Sequence, residues 1–305
     1  MDRATVGVYE ARAAVYAGRR TADEPERAAV FAAAVPEGGV RIDLGCGPGL
    51  YLGVLGRPVV GGDAAFPMCA LARAAHPGVA VVVHDAEALP FRPGSSAGVW
   101  ASKCLQHLDA DRLPEALAEL HRVLPVGGRL EVVLFAPTGE EWVARRVSDG
   151  GDDLPGRLFT LWSPAAFTEL LEGAGFDVDA VHRDDDRLHV IATRGRTLPD
   201  IVGPGLRLLV CGLNPSLYAA DHGVAYGRPG NRFWPAALAA GLVSVTRDPW
   251  HARRHHGVGF TDLVKRASVG AAELTAAEYR AGAERLDRLV RLLRPRAVAC
   301  CGLTG

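Results

Sequence analysis

Short apolar runs alternate with helical patterns along most of the chain. Apolar positions at helical spacing predict helix over residues 4–34, with a break near Pro25, and the apolar run 40–44 predicts the first strand. The alternation continues with expected strands at 58–62, 79–83, 97–102 and 129–135 and expected helices at 66–75 and 111–124. After a polar loop at 149–155, a helix at 163–173 and two strand-like runs within 176–192 complete this sheet. Strands separated by helices indicate a parallel sheet covered by helices.

A second alternation begins after residues 193–205 (TRGRTLPDIVGPG), which are rich in Gly, Pro and charge and predict a domain boundary. Its expected elements are strands at 206–211 and 297–301 and helices at 231–240 and 276–293. We therefore expect an α/β protein with domains at 1–195 and 196–305. The second domain ends on an uncovered strand, so we expect its C-terminal part to be missing.

Composition narrows the class of protein. The 305 residues, 49% of them hydrophobic, suffice for two cores. No apolar stretch reaches the ~20 residues that cross a membrane, and MDRATVGVYEAR at the start has no apolar signal region, so we expect a cytoplasmic protein. The six cysteines form no CxxC pair and no Cys/His ligand spacing, which indicates neither a disulfide framework nor a metal site.

The two predicted domains differ in charge. Residues 1–195 hold 19 Lys and Arg against 27 Asp and Glu, a net charge of −8, whereas residues 196–305 hold 15 against 8, a net charge of +7. Of the 34 basic residues 32 are arginines, so the identity of any one arginine carries little information. Only the second domain has the sign expected of a nucleic-acid binder.

The first chemical motif is a glycine-rich turn where the first strand meets the next helix. It reads Asp43-Leu44-Gly45-Cys46-Gly47-Pro48-Gly49. Glycines let a ligand approach the backbone, and a helix N-terminus offers free N–H groups. Asp63 ends the second strand 18 positions after Gly45, where a carboxylate can accept hydrogen bonds from both ribose hydroxyls. Leu50 replaces the third glycine of a dinucleotide fingerprint, which argues against a dinucleotide reductase.

These residues resemble the class I S-adenosylmethionine-dependent methyltransferases, which have a Rossmann-like sheet. The segments IDLGCGPG, VVGGDAAFPMCALARA, HDAEALPF and LAELHRVLPVGGRLEV follow in the family's order. The resemblance implies S-adenosylmethionine as cofactor, with Phe66 or Met68 near the adenine. The implied cofactor-binding residues are Asp43, Gly45, Gly47, Gly49, Asp63, Asp85 and Ala86. For Asp85, a helix or turn cap is the alternative.

The methyl acceptor is harder to predict, because methyl transfer needs little beyond alignment of the reactants. The chain has neither the Asn/Asp-Pro-Pro-aromatic motif nor the Pro-Cys nucleophile of nucleobase methylation, and its first domain is acidic. We therefore expect a small-molecule acceptor. His107, just past the fourth strand, could act as a base, but we favour a solvent-exposed histidine. A domain that binds the cofactor without catalysis is the alternative.

The second motif follows the strand LRLLV and reads Cys211-Gly212-Leu213-Asn214-Pro215-Ser216. Taken alone, Asn-Pro would be an ordinary turn. The segments GLNPS, RPGNRFWPA and GFTDLVKRA together resemble the mismatch-specific uracil-DNA glycosylase family, which includes thymine-DNA glycosylase. The resemblance runs from Arg196 to the last residue. It implies a partial α/β/α domain that flips uracil or a related base out of a G:U or G:T mismatch in double-stranded DNA and hydrolyses the N-glycosidic bond, as in base excision repair.

In this family's pattern Asn214 is the catalytic residue. A carboxamide is not a general base at neutral pH, so Asn214 should orient a water for attack on the sugar carbon. Tyr226 should stack on the flipped base, with a core aromatic as the alternative. The expected base-binding residues are Gly212, Leu213, Ser216, Tyr226 and Asn231.

The predicted DNA contacts are arginines, Arg228, Arg232, Arg253 and Arg254. For Arg232 and for Asn231 beside it, a surface ion pair and a helix cap are equally good alternatives. Arg253 and Arg254 fall in a basic stretch, 251–256, that we expect to be a loop along the DNA or merely solvated charge. Asp262 is expected to cap a helix over LVKRA.

Two departures from the family bear on activity. Ser216 stands where the founding bacterial enzyme has glycine, and the family's second DNA motif, Asn-Pro-Ser-Gly, would lie beyond Gly305. We therefore expect a fusion of the two enzymes whose glycosylase half is incomplete. The alternative is a cofactor-binding and DNA-binding protein with an inactive glycosylase.

Overall fold

Residues 1–302 are described by a computed structural model, in which the chain forms two compact units. The first consists of Met1–Thr168 and Asp177–Arg194, and the second of Glu169–Phe176 and the residues from Gly195 onward. The helices are α1 (Arg3–Arg19), α2 (Pro25–Ala34), α3 (Leu52–Leu55), α4 (Phe66–Ala75), α5 (Leu113–Val123), α6 (Pro164–Gly173), α7 (Leu217–His222), α8 (Phe233–Ala239), α9 (Pro249–His256) and α10 (Ala276–Leu293). Short 3-10 turns lie at Leu105–His107 and Ala271–Glu273.

The strands follow the predicted alternation in the first unit until residue 135. They are β1 (Arg41–Leu44), β2 (Val59–Asp63), β3 (Ala80–Val83), β4 (Gly98–Ser102), β5 (Arg129–Phe135), β6 (Val143–Val147), β7 (Leu158–Trp162), β8 (Phe176–Asp184), β9 (Arg187–Arg194), β10 (Leu208–Gly212), β11 (Val258–Asp262) and β12 (Val298–Cys300). Within the part of the chain that is described, no helix is both long and apolar enough to cross a membrane.

The main sheet of the first unit has the order β3-β2-β1-β4-β5-β9-β8. The pairs from β3 to β5 are parallel, and β9 runs antiparallel to β5. The strand order reverses direction between β1 and β4, which is where open α/β sheets bind ligands. Phe31, Leu55 and Trp100 are completely buried in the core on one side of this sheet. The predicted Rossmann-like α/β fold is confirmed.

The hairpin of β6 and β7 is the main element that sequence patterning missed in this unit. The polar loop predicted at 149–155 is the turn between these two strands. β6 carries Arg145 and Arg146 and is largely exposed, so it lacks the apolar alternation by which a strand is recognised.

The second unit has a parallel three-stranded sheet in the order β11-β10-β12. Trp234 and Phe260 pack against each other in its core at 5.5 Å between ring centroids. Two expectations were wrong. The basic stretch 251–256 belongs to α9, which Asp248 caps through a hydrogen bond from the His251 N–H. No helix forms over LVKRA, because these residues instead pair with the segment 212–215.

Candidate functional sites

The glycine-rich turn after β1 folds back onto β2. The backbone N–H groups of Gly45 and Cys46 both donate to the carbonyl of Gly62, at 2.7 and 2.9 Å. Gly45 has φ +70°, and a Cβ there would lie 2.5 Å from Cβ of Cys104, so no other residue fits. The turn is therefore fixed at the carboxyl edge of the sheet.

Asp63, at the end of β2, fastens this turn. Its carboxylate accepts hydrogen bonds from the N–H of Gly47 at 3.0 Å and of Ala65 at 2.8 Å. Burial raises its pKa, although these backbone hydrogen bonds oppose the shift. Asp63, Gly45 and Gly47, which the sequence assigned to one site, are adjacent in space. Gly49, assigned to the same site, lies on the far side of the turn against His76.

Asp43, directly before the turn, is 1% exposed. Its Oδ2 is buried without a hydrogen-bond partner. Desolvation, together with the neighbouring charge of Asp63, raises the pKa of Asp43 to about 8. Asp43 is therefore mostly protonated at pH 7, and a ligand that brings positive charge would favour its ionised form.

A cavity opens above the turn and is covered by α1, an element that the sequence prediction did not connect with the site. Thr5, Val6, Tyr9 and Tyr16 of α1 line it. Tyr9 and Tyr16 stand seven residues apart, and this helical spacing was a signal that could have identified one face of α1.

The opposite wall of this cavity contains Met68, Ala86 and His84. Met68 and not Phe66 faces the cavity, since Phe66 is 59% exposed. His84 was missed, and both of its ring nitrogens are buried without partners. Asp85 instead accepts hydrogen bonds from the amine of Met1 and the N–H of Glu87.

These groups fit S-adenosylmethionine, a cation with many hydrogen-bonding atoms. The unpartnered ring nitrogens of His84 and the glycine-rich turn offer the hydrogen bonds and the close backbone approach that this molecule requires. The carboxyl group of Asp43, buried directly before the turn, can respond to its positive charge by ionising. The cavity itself is narrow, about 60 Å³, compared with about 770 Å³ for a neighbouring cavity. A ligand of this size would therefore also extend into the neighbouring cavity, with which this one shares Gly45 and Gly47.

His107 is buried, which corrects the expectation of an exposed histidine. It is 4% exposed, and its Nδ1 lies 2.6 Å from the carbonyl oxygen of Leu158, so Nδ1 carries the proton. Nε2 then accepts from the hydroxyl of Tyr9 at 3.0 Å, and that hydroxyl accepts from Arg157 at 3.0 Å. Burial lowers the pKa of His107 to about 4, so the ring is neutral at pH 7 and positions Tyr9.

The second candidate site lies where β10 ends, at Asn214. Its Nδ2 donates to the carbonyl of Arg266 at 3.0 Å and to Oγ of Ser268 at 2.8 Å. The hydroxyl of Ser268 donates its hydrogen bond to the carbonyl of Gly270, at 2.9 Å. Both partners can therefore only accept, and Oδ1 of Asn214 remains as the acceptor available to a ligand.

A buried ion cluster holds the segment that fixes Asn214. Oδ1 of Asp200 accepts from Lys265 at 2.8 Å, and its Oδ2 accepts from Arg285 at 2.5 Å. The two cations lower the pKa of Asp200 against the effect of burial. Since Lys265 adjoins Arg266, the cluster sets the position of the carbonyl that Asn214 contacts.

Asp262 and Tyr226 meet beside Gly212. A Cβ on Gly212 would lie 2.3 Å from Oδ1 of Asp262 and 3.0 Å from the hydroxyl of Tyr226, so only glycine fits there. Burial raises the pKa of Asp262 to about 6. The expectation that Asp262 caps a helix was wrong, because no helix follows it. Tyr226 is stacked on Phe233 at 4.3 Å between ring centroids and packs against the core of this unit, as the core-aromatic alternative predicted.

The remaining predicted base-binding residues have structural contacts of their own. Ser216 caps α7 by accepting from the N–H of Ala219. Asn231 is exposed and accepts from the N–H of Phe233 at 2.9 Å, which is the capping alternative. The carbonyl of Leu213 accepts from Val264.

The predicted DNA-binding arginines separate into two groups. Arg228, Arg232 and Arg254 are exposed, and the guanidinium of Arg254 lies 5.0 Å from the Trp250 ring centroid. Arg253 is only 8% exposed and donates to the carbonyl of Pro204 at 3.1 Å. The prediction that Arg253 binds DNA is therefore corrected: it lies inside the unit, because α9 is a helix and turns this side chain inward.

Several solved structures are similar to this chain. A putative methyltransferase from Haloferax volcanii, solved with a methyltransferase activator, has a TM-score of 0.51 and 21% identity, covering 63% of this chain and 97% of that one. The CcbJ methyltransferase from Streptomyces caelestis has a TM-score of 0.50 and 20% identity, covering 64% and 100%. A Burkholderia thailandensis 1,6-didemethyltoxoflavin-N1-methyltransferase with bound S-adenosylhomocysteine has a TM-score of 0.50 and 21% identity, covering 62% and 88%. At these identities the likeness shows the fold.

Two family models match separate parts of the sequence. Residues 42–132 match the methyltransferase domain, and residues 199–305 match the uracil DNA glycosylase superfamily. Together with the solved methyltransferases, these matches support S-adenosylmethionine as the cofactor. The chain thus combines a methyltransferase domain with a domain of the uracil DNA glycosylase superfamily.

Proposed function

We propose that the first unit, corresponding to the domain predicted at 1–195, transfers a methyl group from S-adenosylmethionine to a small molecule. The observation that carries this proposal is the pair of buried carboxyl groups, Asp43 and Asp63, beneath the turn at Gly45 and Gly47. Burial keeps Asp43 mostly protonated at pH 7, and a cation such as S-adenosylmethionine would favour its ionised form, whereas an anionic nucleotide would not.

In this proposal the cofactor supplies an electrophilic methyl group, and the protein supplies alignment. Asp63 accepts the ribose hydroxyls, the turn at Gly45 and Gly47 borders the methionine part, and Ala86 contacts the adenine. Tyr9 and Tyr16 exclude water from above, and His107 keeps Tyr9 in place. The acceptor provides the electron pair for the new bond and releases its proton to water, while the electrons of the broken bond stay on sulfur.

Calorimetric titration with S-adenosylmethionine, S-adenosylhomocysteine and NADH tests this proposal. We expect binding of the first two only, and a loss of at least about tenfold in affinity in Asp63→Ala. Asp177→Ala, on the exposed side of β8, is the matched control. Binding of NADH alone, or unchanged affinity in Asp63→Ala, would overturn the assignment.

We propose that the second unit, corresponding to the domain predicted at 196–305, is a glycosylase that removes uracil or a related base from G:U or G:T mismatches in double-stranded DNA. The observation that carries this proposal is the fixed amide of Asn214, whose Nδ2 is held by the carbonyl of Arg266 and by Ser268. An acceptor oxygen held in this way can orient a water without removing its proton.

The groups around Gly212 support recognition of a flipped base. Asp262 and the Tyr226 hydroxyl offer polar atoms close to Gly212 for the edge of the base. Arg228, Arg232 and Arg254 supply positive charge on the surface of a domain with a net charge of +7.

Strand cleavage after alkali on a labelled G:U duplex tests this proposal. We expect incision by the native chain, loss of incision in Asn214→Ala, and little change in the control Ser244→Ala, which alters a side chain bonded to His256. No incision by the native chain, or equal incision by native chain and Asn214→Ala, would refute glycosylase activity and favour a DNA-binding module.

A further inference from the structure

The larger cavity of the first unit adjoins the proposed cofactor site. It encloses about 770 Å³, within the range of small-molecule pockets. Six residues line both cavities: Tyr9, Tyr16, Gly45, Gly47, Ser102 and Lys103. A molecule in the larger cavity would therefore lie directly against the turn that borders the methionine part of the cofactor.

Positive charge dominates the walls of this cavity. The six cationic side chains are Arg19, Arg20, Lys103, Arg146, Arg157 and Arg187, and the three carboxylates are Asp23, Asp152 and Asp153. This net charge of +3 contrasts with −8 for residues 1–195 as a whole. The arginine-rich composition does not explain the contrast, because acidic residues outnumber basic ones in this domain.

The carboxylates in the walls neutralise only part of that charge. Asp153 pairs with Arg20 at 2.6 Å and Asp152 with Arg157 at 2.6 Å. Asp23 is shared by Lys103 and Arg187, and Arg187 also pairs with Glu24 at 3.3 Å. Among the described residues, no carboxylate lies within 4.0 Å of Arg19 or Arg146. One cation is enough for the carboxylate of the cofactor itself, so further positive charge is available to a second ligand.

Aromatic rings lie between these cations. The guanidinium groups of Arg146 and Arg157 lie 5.1 and 5.2 Å from the ring centroid of Phe159. Tyr9 and Tyr16 meet edge to face at 5.5 Å, and Phe135 also lines the cavity. Flat apolar rings next to guanidinium groups match a ligand with a planar ring and an anionic substituent.

We propose that this cavity holds the methyl acceptor and that the acceptor is a small anion bearing a planar ring, with a carboxylate or phosphate group. The inference rests on the proposed methyltransferase function. Nucleic acid is disfavoured as the acceptor, because residues 1–195 carry a net charge of −8.

Calorimetry on the full chain saturated with S-adenosylhomocysteine tests the ligand class. The probes are 4-hydroxybenzoate, phenyl phosphate, neutral 4-hydroxybenzamide, cationic 4-hydroxybenzylamine and the non-planar cyclohexanecarboxylate. We expect at least one planar anion to bind about tenfold more tightly than the amide, the amine and cyclohexanecarboxylate, with affinity falling at high salt. The preferred planar anion identifies the anionic group. Equal binding of 4-hydroxybenzamide and 4-hydroxybenzoate, or no binding of any probe up to about 10 mM, would overturn the proposal.

A pair of adjacent arginines provides the matched variants. Arg146 lines the cavity, whereas Arg145, on the other face of β6, pairs with Asp109 at 3.1 Å. Both are exposed, so substitution should not affect folding. We expect Arg19→Gln with Arg146→Gln to weaken binding of the preferred anion about tenfold and Arg145→Gln to change it by less than about twofold. Equal effects would contradict the assignment of the cavity.

This experiment distinguishes failure of the acceptor proposal from failure of the methyltransferase proposal. If S-adenosylhomocysteine binds and the planar anions do not, the acceptor class is wrong and the methyltransferase proposal stands. If S-adenosylhomocysteine does not bind while 4-hydroxybenzoate does, the methyltransferase proposal fails and only an anion-binding cavity remains.

Discussion

Asp43 shows at the level of one residue how the proposed binding site would oppose stability. A carboxyl group in a buried place without full hydrogen bonding destabilises the folded chain when it ionises. The same charge can favour a cationic ligand that neutralises it. Loss of stability without the ligand and affinity for the ligand therefore share one physical cause.

Asp43→Asn should stabilise the protein in the absence of ligand. The pKa of Asp43 is raised from 3.8 to about 8, so between these values the folded chain keeps a proton that the unfolded chain loses. Stability contributed by this group therefore falls as pH rises from about 4 to about 8. Asparagine removes this loss, and we expect a gain on the order of 2 kcal/mol at pH 8 and much less at pH 5 in urea unfolding.

The same variant should bind S-adenosylmethionine less well. Binding of a cation favours the ionised form of Asp43, so affinity of the native chain should rise as pH rises toward about 8, and the variant should lose this dependence. Asp177→Asn is the control, since Asp177 is exposed. A flat pH dependence in the native chain would show that Asp43 does not respond to the ligand.

Asn214→Asp separates an orienting role from a basic one. An ionised carboxylate would place an oxygen about where Nδ2 now lies 3.0 Å from the carbonyl of Arg266, and two acceptors repel each other. We expect incision of G:U DNA to fall at least about tenfold, together with a loss of ~1–3 kcal/mol in stability. Retained or increased incision would indicate that a base at this position serves the reaction better than an oriented amide.

At the scale of elements, α1 covers the cavity although it buries few of its own residues. Only Thr5 and Ala13 of its 17 residues are buried, whereas α5 buries ten of its 11 residues. Few buried contacts mean that α1 opens at a small cost in free energy. We therefore expect α1 to open more readily than α5 above the cavity that it covers.

Hydrogen exchange should reveal this opening. We expect the amides of α1 to exchange much faster than those of α5 without ligand, and to be protected about tenfold or more by saturating S-adenosylhomocysteine. The amides of α10, in the second unit, serve as the control and should not respond. Protection of α5 and α10 to the same degree as α1 would indicate general stabilisation and contradict a covering role.

Helices and strands could be predicted from the sequence where one strong signal, such as apolar periodicity, marked them. The bounds predicted for α4, β5 and α10 agree with the structure, because each has a strong apolar period and clear ends. The sequence prediction missed β6 and α9 because neither has such periodicity. Both are rich in basic residues, so neither shows a clear apolar pattern. β6 forms by pairing with β7, and the local start signal of α9, Asp248 before Pro249, was not recognised.

At the scale of the whole molecule, the charge division predicts how DNA binding depends on salt. Each phosphate contact contributes ~0.9 to the slope of log affinity against log salt concentration. We expect Arg228→Gln with Arg232→Gln to lower that slope by up to about 2 and to weaken binding to matched and mismatched duplexes alike. Arg145→Gln, in the acidic domain, should leave the slope unchanged. An unaltered slope in the double variant would exclude these arginines as phosphate contacts.

The sequence alone determined the features that depend on local order along the chain. The strand and helix alternation determined the α/β class, and the spacing of Gly45, Asp63 and Asn214 indicated both families, because each family requires particular residues at particular turns. The opposite net charges of the two domains are also independent of folding.

Only the tertiary structure decided which distant residues meet. It placed Tyr9 over His107, separated by 98 positions, and the amide of Asn214 against Ser268, 54 positions away. It also buried Arg253, which the sequence suggested for DNA, and gathered unpaired cations into one cavity of an acidic domain. Burial and partner distance determine hydrogen bonding and pKa, and neither is a property of local sequence.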